Sequence, residues 1–161
     1  DKDVIAGQGT IGMEIVRQMQ QPLDALFVPV GGGGRIAGVA AYVKYVWPDT
    51  QIIGVEPEDA ACLQLALQRG RRDTLPEVGL FADGCAVAQI GKEPFRIIRQ
   101  TVSHVITVST DEMCAAIKDI FAMLPERYNA GQLSSTVTAY FSVGSEKWSV
   151  VMFCCHVQVG E

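Results

Sequence analysis

Four consecutive glycines interrupt the run Val28-Pro29-Val30-Gly31-Gly32-Gly33-Gly34-Arg35-Ile36-Ala37-Gly38. The apolar stretch before them, Ala25 to Val30, reads as a buried strand, and the apolar-periodic stretch after them, Ile36 to Val46, reads as a helix. Glycines let the backbone bend freely and approach a ligand closely. A helix start adds unpaired N–H donors and a partial positive charge. Strand, glycine loop and helix start together suit an anion, above all a phosphate. The run lacks the Lys-Ser/Thr of a nucleoside-triphosphate loop and the Gly-x-Gly-x-x-Gly of a dinucleotide site. That chemistry points to a small monophosphate bound without magnesium. The alternative local reading is a flexible turn.

The chain has 161 residues, 48% hydrophobic and 19% charged, enough for one globular domain with a core. Its formal net charge of -5 argues against a nucleic-acid partner. No apolar run is long enough for a membrane helix. The opening on Asp1, with no signal-like stretch after it, is what an excerpt of a longer protein would show. The five cysteines (Cys62, Cys85, Cys114, Cys154 and Cys155) lack zinc-type spacing and read as buried free thiols of a reducing compartment.

Along the chain the pattern alternates. Ile11 to Met19 is helical with Thr10 as a cap, followed by the strand Ala25 to Val30 and the helix Ile36 to Val46. Gln51 to Val55 is a second strand, and Asp59 to Gln68 a helix closed by Gly70. After a Gly-rich passage, Gly79 to Val87, Lys92 to Thr101 is a helix with Pro94 in its first turn. His104 to Val108 is a third strand. Ser109 or Thr110 caps a helix from Asp111 to about Phe121. Such alternation predicts an α/β fold with these three strands parallel and the ligand beyond their C-terminal ends.

The motifs then assemble in order. They are Gly7-Gln8-Gly9-Thr10, the tetraglycine run, Gly54-Val55-Glu56-Pro57, Phe81-Ala82-Asp83-Gly84, Phe95-Arg96, and Thr110 to Lys118. Over residues 1 to about 121 the chain closely resembles the second half of the catalytic domain of the biosynthetic threonine dehydratase (threonine ammonia-lyase) family. The resemblance implies a partial parallel-sheet three-layer sandwich of the tryptophan-synthase-β kind, pyridoxal-phosphate fold type II. It implies pyridoxal 5'-phosphate as cofactor and threonine or serine as amino-acid substrate. The family reaction turns L-threonine into 2-oxobutanoate and ammonia, the first step of isoleucine biosynthesis. The resemblance implies that Gly31, Gly32, Gly33 and Gly34, with the Arg35 backbone N–H, hold the cofactor phosphate. Where the family carries Leu, Arg35 either faces solvent or adds a charge contact to phosphate. The Ala82-Asp83-Gly84 segment corresponds to one bordering the cofactor. A full-length homo-oligomer in the cytoplasm, or in a plastid in a photosynthetic eukaryote, is implied as well. The tetraglycine run is shared with serine racemase and serine dehydratase, which are the alternatives, beside a non-catalytic cofactor-domain fragment.

The resemblance also leaves gaps. The Ser-x-Lys-x-Arg-Gly-Ala-type motif that carries the family's Schiff-base lysine is not among these residues. Lys2, Lys44, Lys92, Lys118 and Lys147 stand in other contexts, so no catalytic residue is assigned and the chain alone is expected to be inactive. Serine racemase has a divalent-metal site after its Gly-Val-Glu-Pro-type strand. Here Glu56 and the Ala60 carbonyl match it, but Cys62 stands where an Asp is needed, so no metal site is expected and Glu56 reads as a loop carboxylate. Residues 122–161 do not follow the family. Thr136–Val143 and Trp148–Val159 read as a β-hairpin. This tail is either a reading-frame change or unspliced intron, or a divergent C-terminus, and is expected to pack poorly or unlike the family.

Overall fold

The computed structural model describes residues 1–19 and 21–123, with side chains as far as residue 118, and the backbone of residues 137–143 and 146–152. Strands β1 (Ala25–Pro29), β2 (Gln51–Pro57) and β3 (His104–Val108) pair in parallel, as the alternation predicts. Phe27 lies opposite Ile53, and Val55 opposite Ile106. β1 is apolar throughout, as expected of a parallel strand covered on both faces. Pro29, which has no N–H to give, stands at the end of β1 where the strand leaves for the glycine loop.

Helix α1 spans Lys2–Met19, beginning nine residues earlier than the sequence pattern indicates. Its cap is Asp1, whose carboxylate accepts the Asp3 N–H at 3.0 Å. Thr10 is therefore an interior residue, and its hydroxyl donates back to the Gly7 carbonyl at 2.7 Å. Gly7 and Gly9 weaken an isolated helix by roughly 1 kcal/mol each. Packing overrides that propensity, because Gly9 and Gly12 let α1 lie directly on α2 (Gly34–Val46) at Gly38 and Val39.

The helix read from Asp59 is interrupted. A single 3-10 turn, Glu58–Ala60, ends at Ala61, and α3 runs from Cys62 to Arg69 before Gly70 closes it at φ +66°. Helix α4 is Lys92–Thr101, with Gly91 as its cap and Pro94 in the first turn. Helix α5 is Thr110–Met123. Ser109 is its cap: the Glu112 N–H donates to the Ser109 hydroxyl at 3.2 Å, while the Glu112 carboxylate accepts the Ser109 N–H at 2.8 Å. The Ser109 N–H and then the Ser109 hydroxyl, which also donates to the carboxylate at 2.9 Å, hold the Glu112 carboxyl below its ordinary value.

Strands β4 (Val137–Val143) and β5 (Glu146–Met152) form the antiparallel pair read from the sequence, with Glu146 and Lys147 in the second strand rather than in the turn. The pair is not a separate unit. β5 lies parallel to β1, so the sheet order is β3-β2-β1-β5-β4. The packing expected of the tail's side chains, and Cys154 and Cys155, lie outside the described residues. The core centres on Leu26, Val28, Val30, Ile36, Val39, Val43, Ile52, Leu63, Ile90 and Ile98.

Candidate functional site

The glycine loop leaves the C-terminal end of β1 and enters α2. Val30 is the last residue held by the sheet, its N–H donating to the Val55 carbonyl at 2.9 Å. Gly33 has φ +84°, the left-handed region that favours glycine, and caps α2. Helix hydrogen bonding starts there, with the Ala37 N–H donating to the Gly33 carbonyl at 3.0 Å.

Three loop carbonyls are held from behind. The Gly31 carbonyl faces the Cys62 thiol at 3.7 Å, the Gly32 carbonyl accepts the Gly91 N–H at 3.1 Å, and the Gly33 carbonyl accepts from Ala37. No peptide bond is cis, so each C=O and the following N–H point opposite ways. The N–H groups of Gly32, Gly33 and Gly34 are thereby turned to the other side. Among the described residues no acceptor takes the N–H of Gly31, Gly32, Gly33 or Gly34. A Cβ built on Gly32 meets nothing within 4 Å. Unpaired donors, open space at Gly32 and a helix N-terminus form a donor set that fits an anion.

The sequence places the neighbours of this loop only in part. The Ala82-Asp83-Gly84 segment does border it: a Cβ on Gly31 would stand 3.0 Å from the Gly84 carbonyl oxygen and 3.3 Å from the Cys85 Cα. Asp83 itself is exposed, and its carboxylate accepts the Gly84 N–H at 2.6 Å. Arg35 is half-buried, and its Nε donates to the Gln8 carboxamide on α1 at 3.3 Å. That contact was in neither of the two readings of its side chain. Cys62 is a buried free thiol as read, but Cys85 is half-buried and Cys114 exposed.

Glu56 corrects the sequence reading most. It is no loop carboxylate: it lies within β2 and is 0% exposed. Its two carboxylate oxygens accept the Leu63 and Gln64 N–H groups, each at 2.8 Å. It thus caps α3 from a neighbouring strand, satisfying donors that Ala61, the local cap position, cannot. Burial pushes the Glu56 carboxyl above its ordinary value, partly opposed by those two N–H groups and by Cys62. Burial, followed by the adjoining Glu56 charge, pushes the Cys62 thiol up to about 12.

A pH dependence follows. Glu56 binds a proton more tightly folded than unfolded, so its linked stability is full below the unfolded value near 4.5 and is lost as pH rises through the higher folded value. Denaturation of the parent and of Glu56→Gln across that range is expected to show the parent losing ground to the variant as pH rises. A difference that grows in the parent's favour would contradict the burial argument.

Residues 1–140 match the family model described as pyridoxal-phosphate dependent enzyme. The chain belongs to the pyridoxal-phosphate dependent enzyme family. Within it, the biosynthetic L-threonine dehydratase of Burkholderia multivorans is 58% identical over 121 residues, covering 75% of this chain and 24% of that protein. The chloroplastic biosynthetic threonine dehydratase of Arabidopsis thaliana is 60% identical over 119 residues, 74% of this chain and 20% of its own length. The processed form of threonine deaminase isoform 2 from Solanum lycopersicum superposes with TM-score 0.74 at 48% identity, over 76% of this chain and 35% of that one. Maize serine racemase superposes with TM-score 0.69 at 32% identity, over 73% of this chain and 36% of that one. The chain thus spans about a quarter or less of these two dehydratases. These neighbours share the α/β parallel-sheet architecture that the resemblance implied. In this pyridoxal-phosphate family the donor set at Gly31–Gly34 has the chemistry that a phosphate requires. No helix among the described residues is long and apolar enough to cross a membrane.

Proposed function

We propose that this chain is the phosphate-holding part of a threonine dehydratase, an enzyme converting L-threonine to 2-oxobutanoate and ammonia. The observation that carries the reading is the row of unpaired N–H groups of Gly31, Gly32, Gly33 and Gly34 at the start of α2. When bound, pyridoxal phosphate supplies an electron sink for the bond broken at the amino acid's α-carbon. The loop N–H groups, with that of Arg35, hold the phosphate and so set the position of the ring. The Gly84–Cys85 backbone, packed against Gly31, walls one side. In this reading residues 1–121 form part of the large cofactor domain and residues 122–161 are a divergent tail; the two dehydratases align over only 121 and 119 residues, although the family model runs on to residue 140. A transcript read across codons 119–135 tests that boundary.

Threonine is preferred over serine as substrate because relatives 58% and 60% identical carry the threonine dehydratase name. The second reading, a serine racemase or serine dehydratase, draws on the maize racemase at 32%. The full-length protein carrying this segment is expected to act as a homo-oligomer, in the cytoplasm or, in a photosynthetic eukaryote, in the plastid. Assay of that protein on L-threonine and L-serine, reading oxo-acid, ammonia and D-serine, separates the two. Faster release of 2-oxobutanoate supports the dehydratase; D-serine as main product supports the racemase.

The 161-residue chain on its own is expected to release no 2-oxobutanoate above background. Lys2, Lys92 and Lys118 are exposed, and the Lys44 ammonium donates to the Pro48 carbonyl at 2.9 Å. Turnover by the chain alone would show that one of its lysines replaces the family's.

A further inference from the structure

Arg72 belongs to none of the motifs, yet its guanidinium stands at the back of the glycine loop. Its Nε donates to the Ile90 carbonyl at 2.7 Å. A second guanidinium nitrogen donates to the Gln89 side-chain oxygen at 2.7 Å, and the Gln89 amide donates to the Thr74 hydroxyl at 2.9 Å. Arg72 is half-buried, and no carboxylate pairs with it among the described residues, since Asp73 is held by Arg69 and Arg71. A fixed positive charge is thus applied to one peptide group.

That peptide joins Ile90 to Gly91. Its oxygen accepts from Arg72, and its N–H donates to the Gly32 carbonyl at 3.1 Å. The next peptide joins Gly32 to Gly33, and its N–H is the unpaired donor of Gly33. Guanidinium, two peptide groups and the Gly33 N–H therefore stand in series. Each hydrogen bond in such a chain polarises the next, and the direction here makes the last N–H a stronger donor. The same bonds fix where it points.

We propose that Arg72 is a positioning residue for the phosphate, aiming and polarising the Gly33 N–H through the Ile90–Gly91 and Gly32–Gly33 peptide groups. The proposal rests on the reading of the loop as a phosphate site.

The full 161-residue chain is titrated with inorganic phosphate, by calorimetry and by the amide resonances of Gly33 and Gly91. In the parent, phosphate moves the Gly33 proton downfield. In Arg72→Met, affinity is expected to fall about five-fold, with both amide protons already shifted upfield before phosphate is added. Arg72→Lys, which keeps a charged donor toward the Ile90 carbonyl but not the planar fork, recovers part of the affinity lost in Arg72→Met. If Arg72→Met fails to fold, Arg72→Gln decides: weakened phosphate binding supports the proposal, and parental binding overturns it. A parental Gly33 response with unchanged affinity in Arg72→Met overturns this proposal alone. Equal losses in the Met and Lys variants, with Gly33 and Gly91 resonances at their parental positions, reduce Arg72 to a structural part and also overturn it. No response at Gly33 in the parent overturns the loop reading and the proposal together.

Discussion

Gly33→Ala is expected to destabilise the fold by about 2–5 kcal/mol and to abolish measurable phosphate binding. Two causes add. At φ +84° a residue with a Cβ pays roughly 1–2 kcal/mol of backbone strain. The new methyl would stand 2.5 Å from Cδ1 at the tip of the buried Ile90 side chain and 2.9 Å from Cβ of Pro94, whose ring is fixed in α4. Overpacking of that kind contributes roughly a further 1–3 kcal/mol. Relief requires α4 to move back from the loop, which breaks the Gly91 to Gly32 hydrogen bond. Gly32→Leu is the companion variant. Its side chain enters open space, so the melting temperature should stay near the parent's while phosphate affinity falls. Chemical denaturation and phosphate calorimetry on both variants check this. If Gly33→Ala melts with the parent, the left-handed conformation is not required. If Gly32→Leu binds as the parent does, the anion does not use that side of the loop.

Gly38→Val is expected to cost about 3 kcal/mol, at the upper end of overpacking effects, without touching the loop. A Cβ on Gly38 would lie 2.3 Å from the Ile5 carbonyl oxygen and 2.7 Å from the Gly9 nitrogen. Both are backbone atoms of α1, so no side-chain rotation relieves the clash and the whole helix must lift. For a chain of this length that corresponds to a melting temperature roughly 6–12 °C lower. Loss of hydrogen-exchange protection should be concentrated in α1, from Lys2 to Met19. An unchanged melting temperature would mean that α1 does not rest on α2 as described.

The three parallel strands, α4 with Pro94 in its first turn, and a cap at Ser109 or Thr110 were legible because their signals are local. Apolar runs, glycine breaks and capping residues act over a few neighbours. The start of α1 was illegible for a physical reason: Gly7 and Gly9 lower local helix propensity, but Gly9 serves a close approach to Gly38 that only tertiary packing reveals. Glu56 was misread in the same way. A charged residue at a strand end is usually solvated, and nothing nearby in sequence announces that the N-terminus of α3 will fold back over its carboxylate.

The tetraglycine run by itself determined where an anion could sit, since unpaired N–H groups at a strand-to-helix turn are a property of the local backbone. The order of motifs determined the family. Which way those N–H groups point was decided only by the tertiary structure. The Gly31 and Gly32 carbonyls are each held by a partner distant in sequence: Cys62 behind Gly31, and Gly91 behind Gly32 with Arg72 beyond it. A glycine backbone is too permissive to choose its own peptide orientations. The surrounding fold chooses them, by contacts across 31 residues to Cys62 and 59 to Gly91 that local sequence patterns do not encode.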